Sequence, residues 1–172
     1  MNKVCSLVIF LLLLSCNSKK EESKSKVLNK ENKELSIEFS LKTNVEDVFR
    51  INLRDIYVDE FQNKSISTFE KIPATSNFES MKAKFKEGNF SKNIVIKLGD
   101  NNEKVVDLEH ISFSYKNKVI EIDSKNFDTY MAFNKYVRRD SVDLNKFYIS
   151  KIDNTNFNPV IYAKQSLISE LL

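Results

Sequence analysis

Few residues in this chain have the types and spacing to do chemistry. The only histidine is His110, preceded by Glu109 and followed at short range by Ser112 and Ser114. One imidazole with no cysteine near it cannot build a His- or Cys-rich metal site. Ser112 and Ser114 lie along the same stretch as His110 and cannot both support a Ser-His-acid triad. The two thiols, Cys5 and Cys16, fall within the first 16 residues. The remainder therefore has no thiol nucleophile, thiolate ligand or disulfide. Carboxylates can also act in pairs, as in glycosidases. Asp55, Asp59 and Glu60 form one cluster, and Asp107 and Glu109 another. These acids, or Glu46, Asp47 and Asp123, could hold a structural Ca2+ with backbone carbonyls, but a solvated surface is the simpler reading. Gly88 and Gly99 are the only glycines, which excludes a phosphate-cradling loop, a dinucleotide fingerprint and a nucleophile elbow. The expectation is a protein that is not an enzyme, with no catalytic residues, no metal site and no cofactor.

Cys16 has a chemistry of its own, set by what precedes it. Lys3 supplies a positive start, Val4 to Leu14 is apolar apart from Ser6, and Ser15 is small. This is the anatomy of a signal peptide, and the apolar run is well short of the roughly 20 residues that span a bilayer. Leu13-Leu14-Ser15-Cys16 resembles the lipobox of bacterial lipoproteins. The resemblance implies that the Cys16 sulfur receives a diacylglycerol, that the signal is cut before it, and that the new amino group can take a further acyl chain such as palmitate. Several acyl chains, at about 0.8 kcal/mol per buried CH2, make such an anchor effectively permanent. Asn17 stands where an inner-membrane retention signal would have Asp. Lys20, Glu21 and Glu22 resemble a surface-export signal of some Gram-negative lineages. The expected location is the outer membrane, lipid-anchored, with display at the cell surface as the further reading. Residues 1–15 are then the signal peptide, 16–34 a polar, lipidated flexible linker, and 35–172 the folded domain.

Beyond residue 34 the dominant pattern has period two, which places apolar side chains on one face of a strand. Leu35, Ile37, Phe39 and Leu41 alternate with polar residues, as do Phe49, Ile51 and Leu53, then Met81, Ala83 and Phe85, then Ile94, Ile96 and Leu98. Val106 and Leu108 continue into Ile111, Phe113 and Tyr115 with a phase slip at Glu109-His110, which predicts a bulge. Val119 to Ile122 follows. Asn44 to Asp47 and Gly99 to Asn102 read as turns, and Lys116-Asn117 as a two-residue hairpin in which Asn tolerates positive φ. Phe147 to Ile152 and Val160 to Tyr162 read as strands, and Gln165 to Leu172 as a short terminal helix. Phe127 to Phe133 is ambiguous. Short strands with regular turns predict an all-β fold, an antiparallel sandwich or barrel, with a short C-terminal helix.

Asp47-Val48-Phe49-Arg50-Ile51, and Asn93 to Asp100 followed by Val105 to Phe113, resemble strands of small jelly-roll modules of the galactose-binding or carbohydrate-binding type. Similar segments occur in extracytoplasmic modules connected with polysaccharides. The resemblance narrows the fold to an antiparallel β-sandwich, jelly-roll-like, and implies a non-catalytic domain that binds glycan. The chain has no Trp, so ring stacking falls to Tyr57. The candidate surface is the polar face of the second strand, Arg50, Asn52 and Arg54, extended by Asp55 and Tyr57. Its fork-shaped donors suit sugar hydroxyls and carboxylates. Tyr130, Tyr136, Arg138 and Arg139 form a second aromatic-basic group, read as core packing for Tyr130 and solvation for the arginines.

The net charge of +3 resides entirely before residue 35, and residues 35–172 are neutral. Such a domain exerts no strong pull on nucleic acid, which is not an expected partner. The expected partners are the membrane, through the lipid, and a glycan or an envelope protein. The alternative function is a structural or assembly lipoprotein that holds a protein partner.

Overall fold

The structure, a computed structural model, describes residues 33–100, 103–152 and 156–172. Cys16 and the Lys20, Glu21, Glu22 triplet lie outside the described residues. Among the described residues, eleven strands and two short helices follow one another as β1 (Leu35–Thr43), β2 (Asp47–Asp59), β3 (Gln62–Ile72), β4 (Glu79–Phe85), β5 (Asn93–Lys97), β6 (Lys104–Tyr115), β7 (Lys118–Ile122), α1 (Phe127–Tyr130), β8 (Met131–Phe133), β9 (Val137–Arg139), β10 (Lys146–Ile149), β11 (Val160–Ala163) and α2 (Gln165–Leu171). They form two sheets. One has the order β4-β1-β6-β10-β9 with β7 also paired to β6, and the other has the order β3-β2-β5-β11-β8. Every pairing of these strands is antiparallel. The chain crosses repeatedly from one sheet to the other, so the fold is the expected all-β antiparallel sandwich, jelly-roll-like, with a short C-terminal helix.

The period-two pattern builds the core directly. Ile37 and Phe39 of β1, Phe49, Ile51 and Leu53 of β2, Ile94 and Ile96 of β5, Ile111 and Phe113 of β6, Phe147 of β10 and Ile161 of β11 are all buried. Inward faces of the two sheets meet in one apolar layer, and each large side chain buried there contributes roughly 1.5–3 kcal/mol. The bulge falls where the sequence places it. Ser40 faces His110 and Leu41 faces Leu108, which leaves Glu109 as the extra residue on β6. That residue resets the phase, so Leu108 before it and Ile111 after it both point inward.

The C-terminal helix α2 is too short to hold itself together. It packs against α1 and β7, with Leu167, Ile168 and Leu171 buried. Polar contacts staple it: Ser166 Oγ donates to the Thr129 carbonyl at 2.5 Å, and Tyr130 Oη donates to Glu170 Oε2 at 2.7 Å. The negative charge of Glu170 raises the Tyr130 pKa through that hydrogen bond.

Two stretches without a firm expectation take form, and two local expectations need correction. Strand β3 has no clear sequence pattern, because most of its residues are exposed on both faces and nothing forces alternation. The ambiguous stretch Phe127 to Phe133 divides into α1 and β8. The strand begun at Phe147 ends at Ile149. In the β6–β7 hairpin the residue with positive φ is Lys116, at 57°, rather than Asn117.

Candidate functional site

The polar face of β2 is positioned by the core it covers. Phe49, Ile51 and Leu53 point inward, so Arg50, Asn52 and Arg54 must point out. A bulge between Leu53 and Ile56, with Asp55 at a φ of 53°, shifts the phase. Ile56 is buried beyond it, and Tyr57 is thereby returned to the outward face, where it is 71% exposed. The four residues singled out from the sequence therefore do share one surface.

Neighbouring strands complete that surface. Arg50 pairs with Phe69 on β3 and Lys97 on β5, and Asn52 pairs with Ser67 and Val95. Val95 in turn faces Tyr162 on β11. Directly paired residues lie on the same face of a sheet, so Phe69, 70% exposed, and Tyr162, 40% exposed, join Tyr57. Phe69 and Tyr162 are three strands apart, roughly 15 Å at the usual inter-strand spacing. Sequence reasoning missed both: β3 was not recognised, and β11 has no sequence feature that links it to β2.

The polar groups are partly committed. Arg50 lies 4.0 Å from Asp100 and stacks over Phe69 with 5.9 Å to the ring centroid. Lys97 also pairs with Asp100. Asn52 Oδ1 accepts from Ser67 Oγ at 2.7 Å, and Asp55 accepts from Asn93 Nδ2 at 2.8 Å. The face is a platform of neighbouring strands that presents exposed rings and guanidinium groups. Past Ile56 the β2–β3 hairpin continues as an arm, with Val58 48% and Phe61 86% exposed.

A concave feature lies elsewhere. A groove of about 510 Å3 opens where the end of β1, the β3–β4 loop and the start of β6 meet, and Lys42, Asn44, Thr75, Ser76 and Asp107 are among the residues that line it. None of Arg50, Asn52, Arg54 or Tyr57 does. Its walls are fixed by backbone: Thr75 N donates to the Thr43 carbonyl at 3.0 Å, and Val105 N donates to Asn44 Oδ1 at 2.7 Å.

The other candidate residues are dispersed or structural. Asp47 cannot serve a cation, because it is fully buried in an ion pair with Lys104, itself fully buried. Asp47 Oδ1 also accepts from Val48 N at 2.7 Å and Asp100 N at 3.3 Å. Among the described residues no three His, Cys, Asp or Glu side chains are placed to hold a metal. Ser40 Oγ donates to Glu109 Oε2 at 2.5 Å, and His110 Nδ1 lies 3.8 Å from the same oxygen. The serine proton is thus directed at the carboxylate, not at the imidazole as a triad requires. Arg139 is not a solvated residue: its side chain is 9% exposed, bound to Asp128 at 2.9 Å and to the Ser124 and Leu144 carbonyls at 2.6 and 2.7 Å. Tyr136 is buried and Tyr130 partly so, and the aromatic-basic group has no common surface role.

Asp140 governs the β9–β10 turn. The Asp143 and Val142 amides donate to its Oδ1 at 2.9 and 2.8 Å, and they hold its pKa below the ordinary aspartate range. A carboxyl with a depressed folded pKa stabilises above its unfolded pKa, and that stabilisation is lost as pH falls through the folded value. Acid unfolding of Asp140→Asn should therefore begin from a lower plateau and show a shallower loss below pH 4 than the parent, as measured by thermal melts across pH.

Compared with known proteins, the chain matches no family model, no curated protein and no solved structure.

Proposed function

We propose that the protein is a lipoprotein anchored through Cys16 in the outer membrane, whose sandwich is a non-catalytic module that binds glycan on the outer face of the β3-β2-β5-β11-β8 sheet. The observation that carries the reading is the array of exposed rings, Tyr57, Phe69 and Tyr162, beside the guanidinium groups of Arg50 and Arg54. Rings give sugars an apolar surface to stack on, and guanidinium and amide groups supply forked donors to hydroxyls and carboxylates. An extended platform suits a chain of sugar units. The lipid anchor rests on the Leu13-Leu14-Ser15-Cys16 sequence, and surface display on Lys20, Glu21 and Glu22.

A glycan array probed with the protein tests this. Arg54→Ala combined with Tyr57→Ala removes a charge-assisted hydrogen bond and a stacking ring, about 2–4 kcal/mol together, and should weaken binding at least 30-fold. Parent protein that binds nothing on the array rejects the glycan reading. Labelling with a fatty-acid analogue should mark the parent and leave Cys16→Ser unmarked.

The second reading is a structural or assembly lipoprotein that binds an envelope protein. It is favoured by the hairpin arm, where Val58 and Phe61 expose apolar surface well away from the core. Crosslinking from position 61 in cells should then recover one stoichiometric protein.

A further inference from the structure

The groove on the other sheet has the composition of a small-ligand site, independent of the platform. Its lining combines Lys42 and Asp107, 3.4 Å apart, with the amide of Asn44 and the hydroxyls of Thr75 and Ser76. The charges cancel within the groove. Lys146, the β10 neighbour of Asp107, is turned to Asp143 at 3.1 Å. Lys42 is itself held beside an aromatic ring, its ammonium 5.0 Å from the centroid of Phe78. The volume of about 510 Å3 lies in the range of small-molecule sites.

One oxygen sets the groove apart. Among the described residues, Asp107 Oδ1 is the one buried side-chain polar atom with no hydrogen-bond partner. A buried acceptor with no donor is costly and calls for an explanation. The terminal torsion of an aspartate is soft, so a donor in the groove can turn the carboxylate and give both oxygens partners. A cation would meet Lys42 beside the carboxylate, and an anion would meet Asp107 itself. A hydroxyl is neutral, and it both donates and accepts, which matches the alternation of Asp107, Lys42, Asn44, Thr75 and Ser76.

We propose that the groove between Lys42, Asn44, Thr75 and Asp107 binds a neutral polyhydroxy ligand of one or two sugar rings, with Asp107 accepting its hydroxyl protons.

The test titrates glucose, galactose and sucrose into the full-length chain in detergent micelles, up to about 100 mM, a concentration at which even a millimolar Kd saturates. Sodium acetate and methylammonium chloride are the ionic controls. Saturable shifts in the amide resonances of Asn44, Thr75 and Ser76 with a sugar, and none with the ionic controls, are expected. Asp107→Ala should abolish the shifts while leaving the melting temperature unchanged or raised, because it removes an unsatisfied acceptor. Lys42→Gln, at a more exposed position, should weaken binding at least 5-fold should Asp107→Ala fold poorly. The proposal is overturned if no sugar shifts these amides, if the ionic controls shift them equally, if the shifts persist in a folded Asp107→Ala, or if Lys42→Gln titrates with the Kd of the parent. Sugar-induced shifts confined to Asn52, Arg54 and Ser67 would overturn it too while supporting the platform. Shifts at Asn44, Thr75 and Ser76 that survive Arg54→Ala with Tyr57→Ala would assign binding to the groove alone.

Discussion

Asp47→Ala is expected to lower the stability of the sandwich by about 3–5 kcal/mol, which corresponds to a fall in Tm of roughly 10–15 °C in a domain of this size. Asp47 and Lys104 have no exposed side-chain surface, and each is the other's charge partner. Truncating one leaves an uncompensated charge in a medium where desolvation is expensive. Alanine also removes the acceptor for the Val48 and Asp100 amides, adding about 1 kcal/mol for each donor that finds no water. The Lys104 ammonium would be left with the Phe49 ring, 5.6 Å from its centroid, as a weak substitute. Urea unfolding of Asp47→Ala, Lys104→Met and the double variant measures the coupling. The double variant should recover most of the loss, because the pair costs nearly as much to desolvate as it returns. Single variants within about 1 kcal/mol of the parent would contradict the burial of the pair.

Gly99→Ala is expected to cost about 4 kcal/mol or more, whereas Gly88→Ala should cost only about 1 kcal/mol. Both glycines have positive φ, 88° and 82°, so the backbone penalty for an L side chain is common to the two. Their surroundings differ. A Cβ at Gly88 meets nothing within 4 Å, whereas one at Gly99 would overlap the Asp47 carboxylate and the Lys104 ammonium. The β5–β6 connection would have to move, and the buried pair would part with it. Denaturant midpoints for the two variants, measured side by side, separate backbone strain from collision. Equal midpoints would mean that the loop at Gly99 relaxes freely.

The core was legible in the sequence because burial on one face imposes a period of two, and the β6 bulge was legible because Leu108 and Ile111 break that period. The buried ion pair was not read, although a signal existed. Lys104 is in phase with Val106 and Leu108, and Asp47 with Phe49, Ile51 and Leu53, so both charges occupy positions that point inward. A charge in phase with a core is either an error of register or half of a pair. Strand β3 gave no signal, since a strand exposed on both faces has no reason to alternate. The direction of Arg50, Asn52 and Arg54 followed from the core beneath them, and Tyr57 joined them only through the bulge at Asp55. The groove is assembled from Lys42 to Asn44, Ala74 to Ser76 and Asp107, which come together only through tertiary pairing.

The outer margin of β3 has a further consequence. It runs eleven residues and, among the described residues, pairs as a strand with β2 alone, so a row of amide and carbonyl groups stands open to any extended chain that arrives. Where many copies gather, such a seam invites them to zip together into larger sheets. Lys64, Glu70 and Lys71 stud it with charge, and Pro73 follows at its end without an amide proton to offer. Charge and proline along an open strand disfavour its pairing with a second sheet.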